Sequence, residues 1–330
     1  MGKRICWCGD SEYLEFSTEY VRCASCGTLI SCFGLTDDQL RVSDDESAFY
    51  GKKYWLEHQS HDLGFPDIYQ RARRDLCDRN LHWLATLLKY KSPPARTLEL
   101  GCSHGSFVAL LKHVGFDAMG IEMSPWVVEF ARKTFNIPML VGPIEKLELD
   151  AGAFDVIALM DVLEHLADPI GTMRHALTLL KPDGLLLIQT PQAKNDMVYS
   201  QLIEANAPFL EQLKSDEHLF LFTESSAVAL FDRLGAKFIH FERPIFHHYD
   251  MFFIVSRQPI AQNKCRDTKE HLETPTGRFV QALLDQDARI KRLEEHIELI
   301  DKDREARLGQ INSLTKMIHD LQSEAINDKN

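Results

Sequence analysis

The chain has 330 residues, 45% of them hydrophobic and 26% charged, enough for one full α/β domain with smaller attachments. Its formal net charge of −12 argues against a protein that holds nucleic acid by neutralising phosphates, and Arg71, Arg73 and Arg74 read as a solvated helix face. No apolar run of about 18 residues marks a membrane span, and the N-terminal residues lack a secretory stretch. A cytoplasmic location with mostly reduced cysteines is therefore expected.

In chain order, residues 1–45 are rich in cysteine. Cys6-Trp-Cys8 and Cys23-Ala-Ser-Cys26 supply two thiolate pairs, a donor set that suits a closed, structural, tetrahedral Zn2+ site. The first pair is Cys-x-Cys rather than Cys-x-x-Cys, so unligated buried cysteines are the competing reading. Cys32 is a substitute ligand, and Cys77 and Cys265 are given no metal role. Residues 46–96 form a polar and aromatic cover segment that includes a helix from Ile68 to Tyr90, ended by Ser92-Pro93-Pro94.

From 97 to 256 strands and helices alternate, the pattern of a parallel sheet with helices on both faces. Strands are expected at Thr97–Leu100, Ala118–Ile121, Phe154–Met160 and Leu185–Gln189. Helices are expected at Phe107–Val114, after Pro125, and up to about Leu180. Lys237–Glu242 and Met251–Ser256 would close the sheet as a hairpin, and Met197–Leu234 reads as a helical insertion that covers the substrate.

A polar linker, 257–275, leads to a seven-residue repeat over 276–326. Leu283, Ile290, Ile297, Arg304, Ile311, Ile318 and Ala325 fall on a positions. Phe279, Gln286, Leu293, Ile300, Arg307, Leu314 and Leu321 fall on d positions. Sustained heptads predict a coiled coil and hence a homodimer or a docked partner, with Arg304 and Arg307 interrupting the seam. A lone surface helix packed on its own domain is the other reading.

The chemistry concentrates at Glu99-Leu-Gly101-Cys102-Ser-His-Gly105, where a strand turns into a helix. Gly101 allows the sharp turn, Gly105 allows close strand-to-helix contact, and the helix N-terminus offers amides to a carboxylate. Glu122, at the end of the next strand, is placed to accept both hydroxyl protons of a ribose. A third element, Ala158-Leu-Met-Asp161-Val-Leu-Glu164-His165-Leu166, runs from a buried strand into a loop.

With these three elements, residues 97–191 resemble the class I S-adenosylmethionine-dependent methyltransferases with a Rossmann-like core, in the branch carrying Asp-Val-Leu-Glu-His after the fourth strand. The resemblance implies that Glu99, Gly101, Cys102 and Gly105 line the methionine end of the cofactor. By the same resemblance Glu122 binds the ribose, Met123 packs on the adenine and Asp161 lies beneath the sulfonium. Relatives carry an acidic residue where this chain has Pro143, which leaves adenine to the backbone and Ile144, with Glu145 a lesser candidate. The cysteine knuckle followed by Tyr50-Gly-x-x-Tyr54-Trp55 makes residues 5–256 similar to sugar-modifying methyltransferases, some of which act on nucleotide sugars or surface-polysaccharide glycans. The large extra C-terminal domain of the sugar C-methyltransferases is missing.

Methyl transfer to a hydroxyl needs an aligned nucleophile and a group that takes its proton. His218 is the candidate general base, with Glu217 to orient it, and the resemblance places such a Glu-His pair beside the substrate. Tyr50 and Tyr54 are expected to close over the cofactor or substrate. His247, His248 and Tyr249 either line a polar substrate pocket or form an exposed loop, and His165 reads as structural. O-methylation of a sugar or glycan leads. C-methylation of a keto-deoxysugar nucleotide, a quinone-type or lipid-type small-molecule acceptor, and a non-catalytic zinc-knuckle and coiled-coil scaffold stand beside it.

Overall fold

The computed structural model describes residues 4–33, 39, 42, 44–46, 48–62, 64–263 and 272–327, with side chains up to residue 319. Cys265, part of the 257–275 linker and the last heptad side chains lie outside the described residues. Two units are distinguished, Met1–Val280 and Gln281–Asn330.

The first unit opens with three short strands, β1 (Tyr13–Glu15), β2 (Tyr20–Cys23) and β3 (Leu29–Ser31), in an antiparallel meander. After a π-helical segment, Tyr54–Asp62, come helix α1 (Ile68–Asp75), a π turn (Leu76–Asn80) and α2 (Leu81–Leu87). The predicted helix from Ile68 to Tyr90 is thus interrupted by a wide turn. Such turns collect at functional sites, and this one carries Arg79.

The core follows as β4 (Arg96–Leu100), α3 (Ser106–Val114), β5 (Asp117–Glu122), α4 (Pro125–Phe135), β6 (Met139–Val141), β7 (Phe154–Met160), α5 (Pro169–Leu179) and β8 (Leu180–Pro191). β8, β7, β4, β5 and β6 are parallel, each entered through a helix or a short crossover. Buried on both faces, these strands read as continuous apolar runs such as Val156–Met160 and Leu185–Ile188. α4 shows why its start was legible: Ser124 caps it by accepting from the Val127 N–H at 3.3 Å, and Pro125 fills the first turn.

Beyond β8 the chain runs through α6 (Tyr199–Glu204), β9 (Phe220–Leu221) and α7 (Glu224–Arg233) to the hairpin of β10 (Phe238–Glu242) and β11 (Asp250–Ser256). β11 pairs antiparallel with β8, giving a seven-stranded sheet in the order β10-β11-β8-β7-β4-β5-β6. The expected helical insertion at Met197–Leu234 is corrected here. It holds only short helices, and its β9 pairs antiparallel with β3, so the insertion completes the sheet of the cysteine-rich element. The reason is burial: Leu219, Phe220, Leu221 and Phe222 form a strand-like apolar run with little exposure, which needs a sheet partner.

The heptad residues lie on one helix, α8 (Pro275–Asn327), whose residues from Gln281 on belong to the second unit. Ile290, Leu293, Ile297, Ile300, Ile311 and Leu314 are each more than half exposed on it.

Candidate active site

The cofactor side is built where β4 and β5 end. Gly101 has φ +62°, and a Cβ there would meet Val162 Cγ2 at 2.6 Å, so a side chain would push the Asp161–Glu164 loop away. Gly105 has φ +77°, and a Cβ there would collide with Ile137. The sharp turn expected at Gly101 and the close packing expected at Gly105 are therefore present. Cys102 is engaged by the protein on all sides: its N–H donates to the Ile121 carbonyl, its own carbonyl accepts from Gly105, and its thiol lies against Met139.

Glu122 is buried, and its carboxylate accepts from the Met123 N–H at 2.7 Å, the Ser124 N–H at 3.3 Å and the Ser103 N–H at 3.0 Å. Burial raises its pKa, and the three amides pull the other way. Oε1 accepts two of these bonds and Oε2 one, so Oε2 keeps a lone pair for a hydroxyl donor. Glu99 is fully enclosed, and burial first and the Glu122 charge second push its pKa well up. Its Oε2 and the Ser103 Oγ have no hydrogen-bond partner among the described residues. Two orphaned polar atoms on a glycine turn are what a ligand with an ammonium and hydroxyls would satisfy, so the residues fit S-adenosylmethionine. When bound, that cofactor supplies an electrophilic methyl on a sulfonium. Ile144 is buried in the main core, Met123 is half-buried, and the exposed Glu145 accepts from the Thr172 hydroxyl.

Asp161, a non-glycine residue at φ +57°, ends β7 and accepts from Arg79 Nη1 at 2.9 Å and from Gln189 Nε2 at 3.0 Å. Beside this pair lies Asp250, whose burial, together with the Asp161 charge, raises its pKa to about 8 despite Arg79. Arg79 and Asp250 escaped the sequence reading. Arg79 stood in a helix whose π turn has no sequence signal, and Asp250 stood at a hairpin start.

A cover comes over the site from residues 45–46 and 48–62. Asp45 accepts from Ser124 Oγ at 2.8 Å and from the Trp126 N–H at 2.9 Å. Farther along, Gln59 accepts from Arg71 Nη1 at 2.8 Å, Arg71 pairs with Asp75 at 3.2 Å, and Asp75 meets His104 Nε2 at 3.0 Å. This chain ties the cover to the glycine loop. Arg71 is thus a partner residue and not part of a solvated face, whereas Arg73 and Arg74 are exposed. The spacing 71, 75, 79 was the available signal: alternating charges one turn apart on an otherwise apolar-faced helix.

The candidate acceptor side gathers Tyr50, Tyr54, Glu164, His165, Glu217 and His218. Tyr50 Oη lies 3.2 Å from His165 Nδ1, and Tyr54 Oη donates to Glu217 Oε2 at 2.9 Å. His218 Nδ1 sits 2.7 Å from the Gln212 carbonyl, which fixes its proton there and leaves Nε2 as the lone pair. Burial holds the pKa of His218 well below the usual imidazole range, with His165 and Lys214 adding to the effect, so the ring is neutral. Glu217 does not orient it, contrary to expectation. Consecutive side chains diverge, and Glu217 is held instead by Tyr54 and by His58 Nε2 at 3.2 Å. His165 is likewise no mere fold residue in placement, since its ring packs edge-on against His218 with centroids 4.9 Å apart. Of the other predicted substrate residues, Tyr249 is half-buried beside the Arg79 and Asp250 group, whereas His247 and His248 are exposed.

The cysteine-rich element buttresses this side. Ser31 Oγ donates to the Ser215 carbonyl at 2.5 Å, the Ser31 N–H to the Leu219 carbonyl at 3.0 Å, and Tyr20 Oη to the His218 carbonyl at 2.9 Å. The four predicted metal cysteines come together, with Cys6 Sγ to Cys26 Sγ at 3.5 Å and Cys8 Sγ to Cys23 Sγ at 3.6 Å. Tetrahedral zinc with bonds of about 2.3 Å puts its sulfurs about 3.8 Å apart, so the thiols fit that ion. Cys26 is drawn down to about 5, first of all by the Cys6 thiol that donates to it. Cys32 stands outside this cluster.

A parallel sheet ending in this glycine turn, with a buried carboxylate on the next strand, is the Rossmann-like arrangement of the class I S-adenosylmethionine-dependent methyltransferases. The chain belongs to the methyltransferase-domain family, whose profile matches residues 69–240, just over half its length. It is similar to a ubiquinone biosynthesis O-methyltransferase of Xanthomonas campestris pv. campestris, 32% identical over 104 residues, covering 30% of this chain and 44% of that one. A protein of the same name from Xanthomonas euvesicatoria pv. vesicatoria is 30% identical over 116 residues, 33% of this chain and 48% of that one. The chain thus spans under half the length of these curated relatives. Among solved structures it is similar to a protein of Pyrococcus horikoshii OT3, 17% identical with TM-score 0.45, covering 63% of this chain and 100% of that one. It is also similar to a SAM-dependent methyltransferase of Archaeoglobus fulgidus, 17% identical with TM-score 0.42, covering 55% of this chain and 93% of that one. Among the described residues no helix is long and apolar enough to cross a membrane.

Proposed function

We propose that the protein O-methylates a hydroxyl of a sugar, either a nucleotide sugar or a glycan, with the acceptor oxygen delivered beside Tyr50, His165 and His218. The observation that carries this reading is the His218 tautomer: Nδ1–H is committed to Gln212, so the Nε2 lone pair is the group that takes the acceptor proton. In that step the acceptor O–H bond breaks toward Nε2 and a new O–CH3 bond forms. S-adenosylmethionine, when bound, would supply that methyl and keep the electron pair of its S–CH3 bond on sulfur. Polar walls from Glu217, His58 and Tyr54 favour an acceptor rich in hydroxyls. Glu99, Gly101, Cys102, Gly105, Glu122, Met123, Ile144 and Asp161 are the proposed cofactor residues, with Glu99 and Glu122 the two that bond it directly.

A second acceptor, an aromatic hydroxyl of the quinone-precursor type, is favoured by the clustered rings of Phe49, Tyr50 and Tyr54 and by the names of the Xanthomonas relatives. Labelled-methyl transfer to nucleotide sugars and to a polyphenol separates the two. Label on the sugar oxygen supports the first, label on the phenol oxygen replaces it with the second, and label on carbon overturns O-methylation.

In the same reading Cys6, Cys8, Cys23 and Cys26 hold a structural Zn2+ that stiffens the support under His218, in a reducing cytoplasmic setting. The heptads of α8 make a second copy of this chain its partner. A chain ending at Arg257 should then be monomeric, and an unchanged oligomeric mass would contradict that partner.

A further inference from the structure

Lys214 stands on the candidate acceptor side without a counter-ion of its own. Its carbonyl accepts from the Glu217 N–H at 3.0 Å and the His218 N–H at 2.8 Å, so it opens the turn that carries both residues. The side chain is half-buried, and Nζ lies 4.7 Å from the centre of the Phe65 ring. Phe65 is joined to the cover by its N–H, which donates to the Gln59 carbonyl at 2.8 Å. Among the described residues Lys214 Nζ makes no hydrogen bond and no ion pair. Burial lowers the Lys214 pKa, against the pull of Glu217, Asp161, Glu164 and Glu211.

Those four carboxylates are engaged elsewhere, uncharged or in solvent. Glu217 is taken by Tyr54 Oη at 2.9 Å and by His58 Nε2 at 3.2 Å, and Asp161 by Arg79 Nη1 at 2.9 Å. Glu164 is enclosed with Thr190 Oγ1 2.8 Å away, and burial pushes its pKa well up, which favours its neutral form. Glu211 is exposed. An ammonium drawn half out of water against an aromatic ring, with no anion paired to it, is a charge left for a ligand to complete. Behind burial, that charge is among the causes that lower the pKa of His165 and His218, so the ammonium faces the same space as the base.

We propose that the Lys214 ammonium binds an oxyanion carried by the acceptor, so that the enzyme takes sugars bearing a phosphate or a carboxylate and discriminates against neutral glycans. This rests on the sugar O-methyltransferase reading and narrows it. Lysine suits the task because its compact charge and rotatable N–H donors fit phosphate and carboxylate oxygens alike. Phe65 limits the swing of the ammonium and supplies no acceptor oxygen to compete with the ligand. Lys214 is thus a specificity-determining residue, and His218 remains the base.

The test titrates the full-length protein, saturated with S-adenosylhomocysteine, with UDP-glucose, glucose 1-phosphate, glucuronate and methyl glucoside. At least one anionic probe should bind about tenfold or more tightly than methyl glucoside. Lys214→Gln should remove that advantage, whereas Lys214→Arg, which keeps the charge, should hold it to within about threefold. Preference for the two phosphates assigns the anion as phosphate, and preference for glucuronate assigns it as carboxylate. S-adenosylhomocysteine affinity within about threefold of wild type reports that each variant is folded. No anionic probe binding better than methyl glucoside, or an advantage unchanged in Lys214→Gln, would overturn the proposal. The titration needs no turnover, so a sugar reading that fails by methyl transfer to a phenol is seen separately in the labelled-methyl assay.

Discussion

The two halves of the active site are made in different ways. On the proposed cofactor side Glu99, Gly101, Gly105 and Glu122 fall within 24 consecutive residues of one strand-helix-strand unit, and the Glu122 carboxylate is held by amides of that same stretch and the two residues after it. The acceptor side assembles Tyr50 and Tyr54 from the cover, His165 from the loop after β7, and Glu217 and His218 from the insertion. Its hydrogen bonds join residues 115, 163 and 159 positions apart. A local site is robust to change elsewhere in the chain, whereas a distributed one depends on the buttress beneath it. Here the buttress is the small sheet that Ser31 and Tyr20 attach to the 215–219 backbone.

The comparison breaks most sharply at His218. His218→Ala should lower the methyl-transfer rate by about 10²–10⁴-fold while S-adenosylhomocysteine affinity changes by less than about threefold. Rate and affinity falling together would mean that the two halves are not separable. Next in size is Arg79→Met, which strips the cation from between Asp161 and Asp250. A loss of about 1–3 kcal/mol in chemical denaturation is expected, discounted because Asp161 is a third exposed. Unchanged stability would remove Arg79 from the account.

A smaller effect is expected from pH. The pKa of Asp250 is raised to about 8 in the folded chain, above the unfolded value of about 3.9, so the folded state binds this proton more tightly. The stability it contributes is complete below about pH 4 and is lost as pH rises through about 8. Asp250→Asn should flatten that part of the stability profile, measured as denaturation midpoint against pH, and an unchanged slope would contradict the assignment. Smallest is Asp45→Ala, which frees the Ser124 hydroxyl and the Trp126 amide. It should cost about 1 kcal/mol and quicken proteolysis within residues 45–62 without touching the acceptor side.

Legibility in the sequence followed the same division. The strands at Phe154–Met160 and Thr97–Leu100, the helix start marked by Pro125 and the glycine turn are local signals, and all were readable. β6, three residues long, was too short to carry a pattern. The insertion carries helices as expected, but its strand was missed because the partner of Phe220–Leu221 lies nearly two hundred residues away, and periodicity cannot report a partner. Residues such as Arg79, Asp75 and Glu164 acquire meaning only through what faces them. The Glu217–His218 neighbourhood suggested an orienting contact that the backbone turn does not permit.

The most direct test of the central claim is calorimetric titration of the protein with S-adenosylhomocysteine, wild type against Glu122→Ala. A hydrogen bond to a charged carboxylate is worth about 1.5–3 kcal/mol, so the variant should bind at least about tenfold more weakly. Equal binding by both proteins, or none by a well-folded wild type, would contradict the cofactor site described for Glu99 to Glu122.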